Sequence, residues 1–203
     1  MCECEAHNGT PAFEERACVV SNESLGPRLY KITLAAPKTA AAIRPGQFVH
    51  MLLPGFGAHI LRRPFSVYAV KGDNVEIIYQ TVGEGTAYLA EVETGAVCSL
   101  ISPLGHGWQL REGKSLIVGG GVGAAPLFMF TEQLVREGRE VEVVLGAQTA
   151  SMMVTRGDYA SLLGRDPIVA TDDGSLGYAG FCTEPVREEL ARGDYSAVYC
   201  CGP

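Results

Sequence analysis

The sequence predicts two halves of different class: an antiparallel β-barrel over residues 13–109, then a parallel-sheet α/β unit over residues 110–203, with a loose tail at residues 1–12. Three observations predict this division. Up to Gly107, short runs rich in Val, Ile, Tyr and Phe recur at intervals of about ten residues, the spacing of an antiparallel barrel or sandwich. After "REGK", Arg111–Lys114, apolar runs alternate with helix-period segments, the order of strands and crossover helices in a parallel sheet. Hydrophobic residues make up 47% of the chain and charged residues 19%, enough apolar mass for packed cores and too little charge for global disorder.

The elements follow in order. The runs of the first half are "RACVVSN", "RLYKITLAA", "QFVHMLL", "RRPFSVYAV" and "NVEIIYQTV". One short helix is expected from Ala87 to Val92, with Thr86 at its N-cap behind Gly83 and Gly85. In the second half "SLIVGGG" reads as a buried strand. "APLFMFTEQLVREG" reads as a helix: Pro126 suits the first turn, Leu127, Phe130, Leu134 and Val135 form one apolar face, and Gly138 ends it. "EVEVVLGA" is the next strand, "DPIVATDDGS" a strand and loop, "EPVREELARG" a helix starting near Pro185, and "YSAVYC" a short strand from Tyr195 to Cys200.

Several function classes recede on composition. A formal net charge of -7 argues against nonspecific nucleic-acid binding, which needs a basic surface. The longest apolar run, Leu116 to Phe130, is broken by five glycines or prolines and falls short of the roughly 20 residues of a bilayer span. The N-terminus "MCECEAHNGT" is acidic and lacks the apolar core of a signal peptide. Cysteines at 2, 4, 18, 98, 182, 200 and 201 are odd in number and irregular in spacing, so reduced thiols in a cytoplasmic protein are expected. Cys2 and Cys4 have no further ligands at zinc spacing, and no metal site is expected. The four histidines form no close pair, and "DDGSLG" lacks the first glycine of a nucleophile elbow.

Three stretches point to nucleotides. "VGGGVGAAP", Val118–Pro126, follows a strand and opens a helix, with Gly121-x-Gly123-x-x-Pro126 close to a dinucleotide fingerprint. Its glycines permit a tight turn and close backbone approach, and the helix start offers N–H groups to a pyrophosphate. The second strand ends in Gly146-Ala147 where an Asp or Glu would hold a ribose, which leaves NAD against NADP open. "VGEGTAYLAEV" offers a second helix start behind glycines; an ordinary capped helix reads the same way. "LRRPFSVY" sets Arg63, Phe65 and Val67 on one strand face, an arginine to clamp phosphate beside a ring to lie on a flat cofactor. A surface arginine next to a core phenylalanine reads equally well from this stretch alone.

Together, "PGQFV", "LRRPFSV", "VGEGT", "SPLGHGW", "VGGGVGAAPL", "TDDGSLGYAGF" and "CGP" occur in the order found in the ferredoxin-reductase-like flavoproteins. From about Val19 to Pro203 the chain resembles one branch of them, the electron-transfer subunits of two-subunit bacterial dihydroorotate dehydrogenases. The resemblance implies a barrel holding FAD and an α/β domain binding NAD(H) as substrate. It places the flavin motif on Arg63, Pro64, Phe65 and Ser66, a flavin-lining strand on Ile78, Tyr79 and Gln80, and a phosphate contact on Gly85 and Thr86. It places the nucleotide loop on Gly119, Gly120, Gly121, Val122 and Gly123, and a nicotinamide-proximal motif on Cys201, Gly202 and Pro203. Phe65 departs from the tyrosine of plant-type reductases, so charge recognition by Arg63 is the firmer expectation. "TDDGS" matches too, without a physical role for Asp172 and Asp173.

Relatives continue past Cys-Gly-Pro into a cysteine-rich segment binding a [2Fe–2S] cluster. The resemblance therefore implies an α/β domain incomplete at its C-terminus, with the cluster expected only in a full-length form. The implied activity is an NAD(P)H-dependent flavin oxidoreductase subunit, carrying electrons from NADH through FAD to an FMN-containing catalytic dihydroorotate dehydrogenase subunit in a heterotetramer. Rival readings keep the cofactors and change the partner: the flavin subunit of a sulfhydrogenase, a sulfite reductase or an NADH-dependent ferredoxin:NADP oxidoreductase. A nonenzymatic flavin-binding or docking module is the reading from another class.

Overall fold

The computed structural model describes residues 10–57 and 61–203. Most of the tail expected over residues 1–12, with Cys2 and Cys4, lies outside the described residues. The first sheet is built from β1 (Phe13–Gly26), β2 (Leu29–Ala35), β3 (Phe48–Leu52), β4 (Arg63–Ser66), β5 (Ala69–Lys71), β6 (Asn74–Gln80) and β7 (Val97–Leu104). Their order is β4-β3-β7-β1-β2-β6-β5, and every pairing is antiparallel. Side chains alternate as a half-buried sheet requires: β1 buries Glu15, Ala17 and Val19 and exposes the residues between them.

The run "RRPFSVYAV", expected as one strand, is two. β4 and β5 are the outer strands of the sheet, yet only Val67 and Tyr68 separate them. The Val67 amide donates to the Gln47 carbonyl at 3.4 Å and the Tyr68 amide to the Glu76 carbonyl at 2.9 Å. The chain thus crosses from one edge to the other in two residues, and the seam of the barrel is made by the chain itself.

Two elements of this half lack a local signal. β7 pairs with both β1 and β3, and buries Cys98, Leu100 and Ser102. Its serines and Pro103 dilute the strand pattern that its central place requires. Helix α1 (Pro37–Ala42) is capped from a distance. The buried Glu15 carboxylate accepts hydrogen bonds from the Lys38 amide at 2.9 Å, the Thr39 amide at 2.7 Å and the Thr39 hydroxyl at 2.7 Å.

Helix α2 (Glu84–Ala90) starts three residues before the expected Ala87, and its N-cap is Gly83 instead of Thr86. Thr86 sits inside the first turn. Its hydroxyl accepts from the Val82 amide at 2.9 Å and the Gly83 amide at 3.2 Å, and donates to the Gly83 carbonyl at 3.1 Å. A threonine at this depth satisfies the amides before the helix, so the turn begins on the glycine.

The second sheet runs β11 (Tyr178–Ala179), β10 (Ile168–Thr171), β9 (Val141–Ala147), β8 (Lys114–Gly120), β12 (Tyr195–Cys201), all parallel. Helix α3 (Ala125–Arg136) joins β8 to β9 and buries Leu127, Phe130 and Leu134 as its 3.6-residue period requires. Helix α4 (Arg156–Leu163), between β9 and β10, buries only Tyr159 and so has no apolar stripe to betray it. Helix α5 (Thr183–Arg192) precedes β12, an outer strand whose Val198 is 47% exposed.

The halves share a core. Tyr68, Ala69 and Ile78 of the barrel belong to the cluster built on α3 and the parallel sheet. The Tyr68 ring stacks on Phe128 at 4.7 Å between centroids. In the connecting segment Trp108 packs against Phe130 at 6.1 Å and Tyr199 at 5.9 Å. Gly46, at φ +91°, makes room for it: a Cβ there would lie 2.7 Å from Trp108 Cδ1.

Candidate functional site

Arg63 is the pivot of the first candidate region. β4 carries it to the start of α2, where its Nη1 donates to the Leu61 carbonyl at 2.7 Å and its guanidinium lies 4.9 Å over the Phe56 ring. A Cβ on Gly85 would sit 1.9 Å from Arg63 Nε, so the missing side chain is what lets the guanidinium approach the first turn of α2 this closely. First-turn amides have no acceptor within their own helix. A fixed cation and these amides side by side form a cradle for an anion.

The rest of the expected flavin set divides. Phe65 is buried in the barrel cluster, its ring 6.0 Å from Tyr79 and nearly edge-on, so it is barrel wall and not an exposed stacking platform. Tyr79 also turns inward, donating to Asn22 Oδ1 at 2.9 Å and stacking on Tyr30 at 5.6 Å; burial pushes its phenol above the ordinary range. Its neighbour Ile78 faces the opposite way, into the core shared with α3. Pro64 is exposed, while Ser66 and Gln80 are half-buried. Strand alternation separates residues that a linear motif groups together.

The glycine stretch forms the second region. Gly119 and Gly120 end β8, and Gly121–Ala124 make one tight 3-10 turn before α3. A Cβ on Gly119 would lie 2.7 Å from Ala124 Cα, and one on Gly123 would lie 2.5 Å from the Cys201 carbonyl oxygen. Gly202, at φ +142°, is as tightly held: its Cβ would meet the Gly120 carbonyl at 2.7 Å. The ends of β8 and β12 therefore interlock backbone to backbone. Gly121 differs, with φ +53° and nothing within 4 Å of a Cβ, so it opens outward. Val122 packs partly against the core below.

The thiols here are subdued. Burial, then the neighbouring Cys200, pushes the Cys201 thiol up, and burial pushes Cys98 up to about 11. Cys200 and Cys201 are consecutive on one strand and point to opposite faces. Among the described residues no group of three His, Cys, Asp or Glu is placed to hold a metal, and the described cysteines do not fit a four-thiolate cluster. No described helix is long and apolar enough to cross a membrane.

"TDDGS" acquires a structural role. The Asp173 carboxylate accepts from the Ser175 hydroxyl at 2.6 Å and its amide at 3.0 Å, which hold it below the usual carboxylate range. The Ser175 hydroxyl in turn accepts from the Ala150 amide at 2.8 Å, and the Asp172 amide donates to the Ala147 carbonyl at 3.1 Å. The loop ties the exit of β10 to the exit of β9. A cavity of about 1380 Å³ is lined by Arg44, His106, Trp108, Glu132 and Arg136 among others and contains none of the expected site residues. The cradle and the glycine turn lie outside this cavity.

Sequence reasoning missed three residues at the junction. The Tyr68 hydroxyl donates to Asp158, and the Tyr159 hydroxyl donates to the Ala124 carbonyl at 2.8 Å. Burial first, then Asp158, raises the Tyr68 phenol far above its usual range, so it stays a proton donor.

No protein-family model matches the chain. The dihydroorotate dehydrogenase B (NAD(+)) electron transfer subunit of Geobacillus thermodenitrificans strain NG80-2 is 35% identical over 195 residues, covering 93% of this chain and 74% of the relative. The chain belongs to the family of dihydroorotate dehydrogenase B electron transfer subunits. The subunit of the same name from Bacillus mycoides strain KBAB4 is 33% identical over 196 residues, 94% of this chain and 74% of the relative. Among solved structures, an NADH-dependent reduced ferredoxin-NADP oxidoreductase superposes with a TM-score of 0.82 at 25% identity, over 92% of this chain and 67% of that one. A ferredoxin reductase of carbazole 1,9a-dioxygenase superposes with a TM-score of 0.79 at 23% identity, over 96% of this chain and 62% of that one. The chain shares their fold, a curled antiparallel sheet beside a parallel sheet with crossover helices.

Proposed function

We propose that the chain is the flavin-holding subunit of a dihydroorotate dehydrogenase, takes its electrons from NADH and serves a catalytic partner subunit that oxidises dihydroorotate. The observation that carries this reading is the Arg63 guanidinium lying on Gly85, where a Cβ would be 1.9 Å from Nε, beside the first-turn amides of α2. Such a cradle fits the pyrophosphate of FAD, with Arg63 giving charge and the backbone from Gly83 to Thr86 giving direction. Gly121, free of neighbours at a positive φ, leaves the β8–α3 turn open to a second dinucleotide, with Gly119, Gly123 and Gly202 holding that turn against β12. When bound, FAD supplies the redox chemistry, accepting a hydride as an electron pair and releasing electrons singly. The side chains bind and orient; none of them is assigned a proton transfer.

The test is anaerobic mixing of the FAD-loaded protein with NADH. Flavin absorbance is expected to bleach; its restoration by the catalytic partner with orotate is expected only of a full-length form that carries the cluster. Arg63→Ala is expected to lose a charge-assisted contact of about 1.5–3 kcal/mol, weakening FAD roughly ten- to a hundredfold. FAD retention through dilution equal to that of the parent would remove Arg63 from the site. A second reading, a subunit serving ferredoxin:NADP chemistry, is favoured by the TM-score of 0.82 with the ferredoxin-NADP oxidoreductase. Restoration by ferredoxin and not by the dihydroorotate dehydrogenase partner would select it.

A further inference from the structure

Arg63 and the glycine turn belong to different sheets, and hydride transfer between two bound dinucleotides requires those sheets to keep a fixed spacing. Misplacement by about 1 Å costs on the order of a hundredfold in rate. One continuous path links the two. From Arg63 the chain runs five residues to Tyr68, which is 2% exposed. The Tyr68 ring stacks on Phe128 of α3 at 4.7 Å, and its hydroxyl donates to Asp158 in the first turn of α4. The next residue, Tyr159, is fully buried; its ring meets Phe128 edge-on at 5.1 Å and its hydroxyl donates to the carbonyl of Ala124, the last residue of the glycine turn, at 2.8 Å. Tyr159 is the one fully buried residue of helix α4, with Leu162 and Leu163 packed more loosely against the same core.

We propose that Asp158 and Tyr159 form a strut between the Val67–Tyr68 crossing that follows the Arg63 strand and the Gly121–Ala124 turn, and that the strut sets the spacing of the flavin and nicotinamide sites. The proposal rests on the function given above. Asp158, Tyr159 and Tyr68 are positioning residues: they touch neither cradle nor open glycine, and act through the strand and turn they join. Removing one hydroxyl leaves the cradle and the turn's own backbone in place, so binding persists while the spacing relaxes.

The test compares Tyr68→Phe, Tyr159→Phe and their double variant with Tyr195→Phe, which removes a comparable hydroxyl bond to Glu189 at 2.8 Å far from the junction. Each strut variant is expected to keep its FAD and its NADH affinity. Each is also expected to reduce flavin about tenfold more slowly at saturating NADH, with a weaker long-wavelength charge-transfer band. The double variant is expected to be little slower than either single one, because both break the same strut. Rates matching Tyr195→Phe, or a loss explained wholly by FAD dissociation, would overturn the strut. Amide exchange in the nucleotide-free protein separates the strut from the function: both single variants are expected to speed exchange at Gly121–Ala124. Unchanged exchange there after Tyr68→Phe overturns the strut even if the parent is reduced by NADH. A parent that NADH does not reduce refutes the function, while faster exchange still upholds the mechanical link.

Discussion

At the scale of single residues, glycines that look alike in sequence do different work. Gly123 faces the Cys201 carbonyl, which a Cβ would approach to 2.5 Å, whereas Gly121 faces open space at φ +53°. Gly123→Ala forces two strand ends apart and is expected to cost about 1–3 kcal/mol of stability, the range of overpacking, seen as a lower melting temperature. Gly121→Ala pays only the left-handed backbone strain, about 1–2 kcal/mol, and adds a methyl where a phosphate must approach; NADH-driven flavin reduction is expected to slow with FAD still bound. An unchanged rate of NADH-driven flavin reduction in Gly121→Ala would refute the division. The sequence identified the turn because four glycines in five residues follow a strand. It did not separate the glycines, since their roles depend on β12, some eighty residues downstream. Phe65 and Tyr79 pack in the barrel cluster while Ile78 turns into the shared core, because a motif lists neighbours in the chain and pleating sends them to different faces.

At the scale of elements, legibility followed local signal. Helix α3 carries a proline in its first turn, an apolar stripe and a terminal glycine, and was read correctly. Helix α1 has six residues and no side-chain cap of its own, because its cap is Glu15, twenty-four residues upstream of Thr39. Helix α4 offers one buried residue, and β7 spends its inward positions on a cysteine and a serine as well as a leucine. Such elements exist through tertiary contacts that no local pattern announces. Glu15 gives a direct test. Glu15→Ala leaves the amide and hydroxyl of the fully buried Thr39 without this acceptor and is expected to cost about 2–3 kcal/mol in urea unfolding. A loss below about 0.5 kcal/mol, typical of surface substitutions, would show that α1 is held by something else.

At the scale of the whole molecule, an antiparallel sheet followed by a parallel one was legible in the change of sequence rhythm, but their mutual packing was not. The shared core draws Tyr68 and Ile78 from the barrel and Phe128 from α3, residues that each half's own pattern assigns to itself. A core divided between two sheets makes their stabilities one quantity. The single tryptophan, Trp108, lies at the junction against Phe130 and Tyr199, so its fluorescence reports junction opening while far-ultraviolet circular dichroism reports both sheets. In the parent the two signals are expected to change at the same denaturant concentration, as a two-state unit requires. Phe128→Ala removes the ring between Tyr68 at 4.7 Å and Tyr159 at 5.1 Å, and is expected to cost about 3–5 kcal/mol. If the halves are one unit, both signals shift together to lower denaturant. A variant in which tryptophan fluorescence changes first while circular dichroism keeps the parent's midpoint would mean that the junction opens without unfolding either sheet, and that each half is stable alone.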